Sequence, residues 1–200
     1  MKKASMNLPN TLSLLRCALV PVFVLTLFFM REIPVWGRVI PAIVYLITGL
    51  TDMLDGKIAR KYNLVTDFGK FVDPLADKFM VLGSLISILA LILIEGEVTM
   101  GLVFTAVVLV LLLRELGVTS LRLVVAGKSG IVVAASMFGK LKTVSQMVGT
   151  IVILLEPVVF PFCADNHIAA YIAMGIMTVT TVASGLDYMK AYLPYIDTNS

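Results

Sequence analysis

From Leu12 to Met30 the chain carries one charged residue, Arg16, among apolar and small polar side chains. Val39 to Leu50 begins a second such run, and Phe79 to Ile94, Val98 to Leu113, Thr143 to Leu155 and Ile168 to Leu186 supply four more. A bilayer-crossing helix needs roughly 20 predominantly apolar residues, so the shorter runs must borrow length from their polar ends. With 59% apolar and 14% charged residues in a chain of 200, there is too little polar surface to cover a water-soluble globule. Lipid offers backbone groups no hydrogen bonds, which leaves only helices or closed barrels, and the alternating segments of a barrel are absent. The expected fold is an all-α integral membrane protein, with about six transmembrane helices in one bundle and a single domain over 1–200. The basic start resembles that of a signal peptide, but the run behind Arg16 is too long and no cleavage site precedes its end. It reads as an uncleaved first span. Leu8 to Leu15, opened by Pro9-Asn10, is expected to begin as a short interfacial helix.

Basic residues orient such a chain, because cytoplasmic loops carry the excess of Lys and Arg. With six spans and both termini inside, all of the 16 Lys and Arg except Arg31 and Arg38 fall on the inner side. The outer segments Glu95 to Glu97 and Pro157 to His167 contain none. Cys17 and Cys163 then lie at opposite ends of the bundle, too far apart for a disulfide. Gly37, Gly96, Gly127, Gly130 and the Pro157/Pro161 pair read as turn residues between spans.

Against this background, residues 51–78 are anomalous, holding five of the chain's aspartates. Asp52, Asp55, Gly56 and Ala59 share roughly a 100° arc of the second helix, and Gly69, Asp73 and Asp77 recur every four residues on the third. Between them lies a turn at Lys61-Tyr62-Asn63, and Thr66-Asp67 has the chemistry of an N-cap with an acidic first turn. Pro74 predicts that the third helix either kinks or properly begins there. Antiparallel packing of these helices brings four carboxylates together at the cytoplasmic surface, with Asp67 left as a cap. Two carboxylates about 4 Å apart repel by roughly 4 kcal/mol at an effective dielectric near 20. The cluster therefore needs protonation, pairing with Lys57, Arg60 or Lys78, or divalent cations. All-oxygen ligands suit Mg²⁺, Mn²⁺ or Ca²⁺ and not zinc. A single interfacial aspartate is ordinarily a solvated helix end; four on two facing stripes beside small residues mark a site. The small residues Gly56, Ala59 and Gly69 have two readings, close approach of a phosphorylated ligand or tight helix packing.

The string Asp52-x-x-Asp55-Gly56-x-x-Ala59-Arg60, eight further residues, then Gly69-x-x-x-Asp73-x-x-x-Asp77 resembles without departure the signature of the CDP-alcohol phosphatidyltransferase family. The resemblance implies that Asp52, Asp55, Asp73 and Asp77 hold divalent cations, Mg²⁺ or Mn²⁺ and two in number. It also implies Asp77 as general base, and Asp52, Asp55, Gly56, Ala59, Arg60 and Gly69 as the CDP-lipid site. The implied reaction is attack of an alcohol hydroxyl on the lipid-side phosphate of CDP-diacylglycerol, with release of CMP. A site at the interface lets one pocket hold a lipid tail in the bilayer and a nucleotide in water.

The acceptor must be read elsewhere. Arg114 and Arg122 in 114-RELGVTSLRL-123, with Lys140 and Lys142 in 139-GKLKT-143, fall on the same inner side as the aspartates. They read either as membrane anchors, with Glu115 available to pair with one arginine, or as a basic pocket for an acceptor phosphate. The flanking strings 7-NLPNTLSLLR-16, 69-GKFVDPLADK-78 and 184-SGLDY-188 resemble family members that use glycerol 3-phosphate. That resemblance implies the phosphate pocket, phosphatidylglycerophosphate as product and a homodimer. Membrane lipids are the other expected partners, nucleic acid is not, and the expected location is the cell membrane with the site at its cytoplasmic face. The nearest alternative is an inositol-phosphate acceptor. A cation- or proton-coupled transporter, from a different class, would place its carboxylates near the midplane on broken helices in an inverted repeat; the sequence has no such repeat.

Overall fold

The structure is a computed structural model that describes residues 8–61, 66–129 and 137–195, and of residues 8, 9, 52–61, 67, 70, 126, 128, 129, 163 and 164 the backbone alone. Its elements are α1 (Leu8–Phe29), α2 (Trp36–Lys61), α3 (Asp67–Ile94), α4 (Val98–Ser129), α5 (Met137–Val159), the one-turn α6 (Pro161–Ala164) and α7 (Ile168–Tyr192). A 3₁₀ turn at Leu193–Tyr195 follows, and the described residues contain no strand. Among the described residues, five segments are long and apolar enough to cross a membrane: Asn10–Phe29, Phe71–Ile94, Val98–Val125, Met137–Val159 and Ile168–Tyr195. The sixth long helix, α2, is apolar only over Trp36–Thr51 before the aspartate stretch begins. The protein is an all-helical, multi-pass membrane protein.

The residues divide into two compact units, Met1–Glu97 with Pro157–Val159, and Val98–Glu156 with Phe160–Ser200. In the first unit α1 packs against both α2 and α3. Its core joins Val20, Phe23 and Leu27 of α1, Ala42 and Tyr45 of α2, and Ala76, Met80, Leu85 and Ile88 of α3. The Phe23 and Tyr45 rings meet with centroids 5.8 Å apart. A Cβ on Gly83 would stand 2.9 Å from Val20, so α1 and α3 approach closely there. At the far end of α3, Glu95 pairs with Arg38 from the start of α2. Gly96 takes φ 86° to turn the chain, a conformation that a side chain disfavours.

Helix α1 departs from expectation in one respect: it is a single helix from Leu8 through Pro21 to Phe29, with no separate interfacial segment. One face explains why it stays whole. Asn10, Ser13 and Arg16, each three residues from the next, are all buried. Polar side chains of an apolar helix turn inward, away from lipid, and this stripe fastens the first two turns of α1 to the unit.

In the second unit α4 packs along α7. Phe104, Leu111, Val118 and Val125 of α4 are buried, as are Met174, Met177, Tyr188 and Tyr192 of α7. Helix α5 joins α7 through Ser145 and Thr180, whose hydroxyls are 2.6 Å apart, and through Gly149, which accommodates Met177. The buried carboxylate of Glu156 serves the N-terminus of α7: its Oε1 accepts from the Ala170 N–H at 3.0 Å, and its Oε2 lies 3.5 Å from His167 Nδ1. Gly127 and Pro157 do not end helices; α4 and α5 run through them. Membrane helices tolerate both residue types in their interiors.

Candidate active site

The described half of the aspartate constellation begins where α3 begins. Thr66 is the N-cap, extended at φ −112° and ψ 157°, and its Oγ1 accepts from the Gly69 N–H at 3.0 Å. The same hydroxyl donates to Asn10 Oδ1 at 3.0 Å, so α1 secures the cap from outside. Each such bond contributes about 1 kcal/mol net. Asp67 follows as the first helical residue.

From this anchored start, Gly69, Asp73 and Asp77 come round one face at intervals of four. The helix runs through Pro74 without interruption, so its beginning lies at Asp67 and not at the proline. Asp73 is exposed, Asp77 half-buried. Ser13, wholly buried on α1, donates to Asp73 Oδ1 at 2.5 Å. Gly69 is buried, and a Cβ there would stand 2.8 Å from Asn10 Oδ1, 3.2 Å from Thr66 Oγ1 and 3.8 Å from Asp73 Oδ2. Its missing side chain therefore admits the α1 anchor beside the carboxylate.

Asp52, Asp55, Gly56, Ala59 and Arg60 all lie within the helical span of α2, with Asp52 and Asp55 one turn apart. Their side chains fall outside the described residues, as do residues 62 and 63 of the expected turn. Asn10 and Ser13 were not singled out by the motif, although both lie in the string 7–16. The signal that exposes them is their spacing of three in an apolar helix, which puts two hydrogen-bonding side chains on one face.

The second unit holds the cationic cluster. Glu115 Oε1 pairs with Lys142 and, at 3.2 Å, with Arg114 Nη1. Arg114 Nη2 donates to Ser184 Oγ at 2.7 Å. The guanidinium of Arg114 sits 5.4 Å from the Tyr188 ring centroid and that of Arg122 at 6.0 Å, both within cation–π range. Three of the four expected cations thus gather around Glu115 and Tyr188. Lys142 is buried, whereas Lys140 is exposed. Two residues apart on a helix, they face different ways. Ser184 and Tyr188 join the cluster from 184–188, and Glu115 engages a lysine as well as an arginine. Arg114 Nε is buried with no hydrogen-bond partner among the described residues.

A family model for CDP-alcohol phosphatidyltransferases matches residues 6–183. The chain belongs to the CDP-alcohol phosphatidyltransferase family. As such it is a phosphatidyltransferase of a family that uses divalent metal ions. Among CDP-alcohol phosphatidyltransferases it is 41% identical to a CDP-diacylglycerol–glycerol-3-phosphate 3-phosphatidyltransferase of Bacillus subtilis, over 92% of this chain and 94% of that one. It is 38% identical to a probable phosphatidylglycerophosphate synthase of Mycobacterium tuberculosis, over 94% and 82%. A Haemophilus influenzae protein with the same name as the Bacillus relative is 31% identical over 92% of each chain.

Proposed function

We propose that this chain transfers the phosphatidyl group of CDP-diacylglycerol to glycerol 3-phosphate, forming phosphatidylglycerophosphate and CMP. What carries the reading is the intact aspartate signature, whose Gly69, Asp73 and Asp77 share one face of α3 behind an anchored cap, in a chain 41% identical to a CDP-diacylglycerol–glycerol-3-phosphate 3-phosphatidyltransferase. The acceptor hydroxyl oxygen bonds to the lipid-side phosphorus as the pyrophosphate P–O bond breaks, and CMP leaves with the bonding pair. Asp77 takes the hydroxyl proton as general base.

Asp52, Asp55, Asp73 and Asp77 would hold two divalent cations, Mg²⁺ or Mn²⁺, which when bound supply charge neutralisation at the phosphoryl and leaving oxygens. The described donors fit such ions. Asp73 and Asp77 are hard oxygen ligands, and Asp73 is exposed with one oxygen oriented by Ser13. Gly56, Ala59, Arg60 and Gly69 belong to the CDP-lipid site in this reading. For the acceptor phosphate, Arg114, Arg122 and Lys142 are favoured, because three cations against the single carboxylate of Glu115 leave the cluster positive, and Arg114 Nε retains a donor. Lys140 is the weaker member, being exposed. The family match spans both units, which favours one working domain over 1–200. The distribution of Lys and Arg favours a cytoplasmic site with both termini inside the cell membrane, and a homodimer follows from family likeness.

The purified protein with CDP-diacylglycerol, Mg²⁺ or Mn²⁺ and glycerol 3-phosphate should release CMP, and EDTA should stop the release. No CMP with glycerol 3-phosphate, but release with inositol phosphate, transfers the assignment to that acceptor. In the same assay Asp77→Asn should lose at least about 100-fold in turnover, the scale of a general base. Near-normal turnover removes Asp77 from that role.

A further inference from the structure

We propose that Ser13 is a positioning residue for the metal ligand Asp73, acting from a different helix through its hydroxyl. The inference rests on the reading of Asp73 as a ligand and goes beyond the aspartate signature, which contains no part of α1. Asp73 stands on the exposed side of α3, where a carboxylate would sample several rotamers. Its Oδ1 accepts from Ser13 Oγ at 2.5 Å. Ser13 itself is wholly buried, so its hydroxyl cannot turn to water instead. A buried donor aimed at an exposed carboxylate fixes the orientation in which that carboxylate meets a cation. Outer partners of this kind typically alter metal affinity 10- to 100-fold when removed.

The neighbouring contacts make the placement rigid. One turn before Ser13, Asn10 holds the Thr66 hydroxyl at 3.0 Å, and Thr66 holds the Gly69 N–H at 3.0 Å. Asn10 and Ser13 therefore grip α3 at its cap and at Asp73, two turns into the helix. Gly83 against Val20 keeps the two helices close farther along. The distance from Ser13 to Asp73 is thus set by two helices held in register, and not by the two side chains alone.

The test is Mn²⁺ binding to the full-length, metal-free protein in detergent, followed by the EPR signal of free Mn²⁺, on the folded fraction from size exclusion. Ser13→Ala removes the hydroxyl, and Ser13→Cys keeps its volume with only a weak donor. Both should raise the Mn²⁺ dissociation constant roughly 10-fold. Ser87→Ala, which removes a hydroxyl bonded within α3 to the Gly83 carbonyl, should bind as wild type does. Wild-type affinity in Ser13→Cys overturns the inference while leaving the metal site intact, and it decides the matter even if Ser13→Ala does not fold. Equal weakening in Ser87→Ala also overturns it, because the effect is then general loosening of the helix. No Mn²⁺ binding by wild type defeats the metal reading of the aspartates and the inference with it.

Discussion

A β-carbon on residue 69 would lie 2.8 Å from Asn10 Oδ1, closer than carbon and oxygen rest when not bonded, and 3.2 Å from Thr66 Oγ1. The Asn10 side chain is short, and its oxygen is already committed to the Thr66 hydroxyl. The methyl of Gly69→Ala can be accommodated only by giving up that bond or by moving α1. Overpacking of this kind costs about 1–3 kcal/mol. Gly69→Ala should therefore lower the melting temperature of the protein in detergent, and should do so less in an Asn10→Ala background, where the clashing oxygen is gone. Residues in contact are expected to be coupled in this way. An equal drop in both backgrounds would show that the glycine serves something other than the α1 contact. Glycine here has a packing duty that a ligand-approach argument alone would miss. Under the proposed function, the buried ion pair of Glu115 with Lys142 has a similar double use. A cation intended for an anionic ligand must be balanced while the ligand is away, and a neighbouring carboxylate does this at the cost of competing with the ligand.

Among the elements, α3 was the most legible from sequence. Thr66 and Asp67 state a helix start in local chemistry, and the structure places the cap and the first helical residue there. The four-residue recurrence of Gly69, Asp73 and Asp77 needs only helical geometry to become a face. Of the two readings of Pro74, a kink or a helix start, the start does not hold, because the helix already begins at Asp67. A lost bond to the Lys70 carbonyl falls close to the helix start, where adjustment is easy, and the upstream cap holds the turns before it. Gly127 and Pro157 misled for a related reason, since both are common punctuation in water and frequent inside membrane helices. The interfacial first helix failed differently. Asn10, Ser13 and Arg16 are buried and belong to a helix continuous through Phe29. Asn10 and Ser13 meet Thr66 and Asp73 at the start of α3, the second pair across 60 positions of sequence. Spacing marks the polar face on each helix alone, but it does not say which helix that face meets. The cationic cluster has the same character: Arg114, Lys142, Ser184 and Tyr188 lie on three helices, and of its contacts only the pairing of Glu115 with an arginine was readable from sequence.

For the whole molecule, the side of the membrane on which each helix end lies is fixed by charge and not by packing. Lys and Arg resist translocation, so an excess on one side sets orientation for every span at once. All of the 16 except Arg31 and Arg38 fall to one side when six helices alternate. Helix α2 is the weak link, because its apolar part ends at Thr51 and its remaining turns carry the aspartates. If α2 failed to cross, every later helix would invert, and the cations of α4 and α5 would move to the outer side. Single-cysteine labelling separates the two cases. In a Cys17→Ser, Cys163→Ser background, Glu97→Cys in the turn after α3 should react with a membrane-impermeant maleimide in intact cells. Lys190→Cys near the end of α7 should react only after permeabilisation. Reaction of Lys190→Cys in intact cells, with protection of Glu97→Cys, would invert the proposed orientation and remove the cytoplasmic placement of the site. Because glycerol 3-phosphate and the nucleotide of the lipid donor are both water-soluble charged groups, a site on the outer face could not draw on cytoplasmic pools of either. The labelling pattern therefore tests the proposed substrates together with the topology.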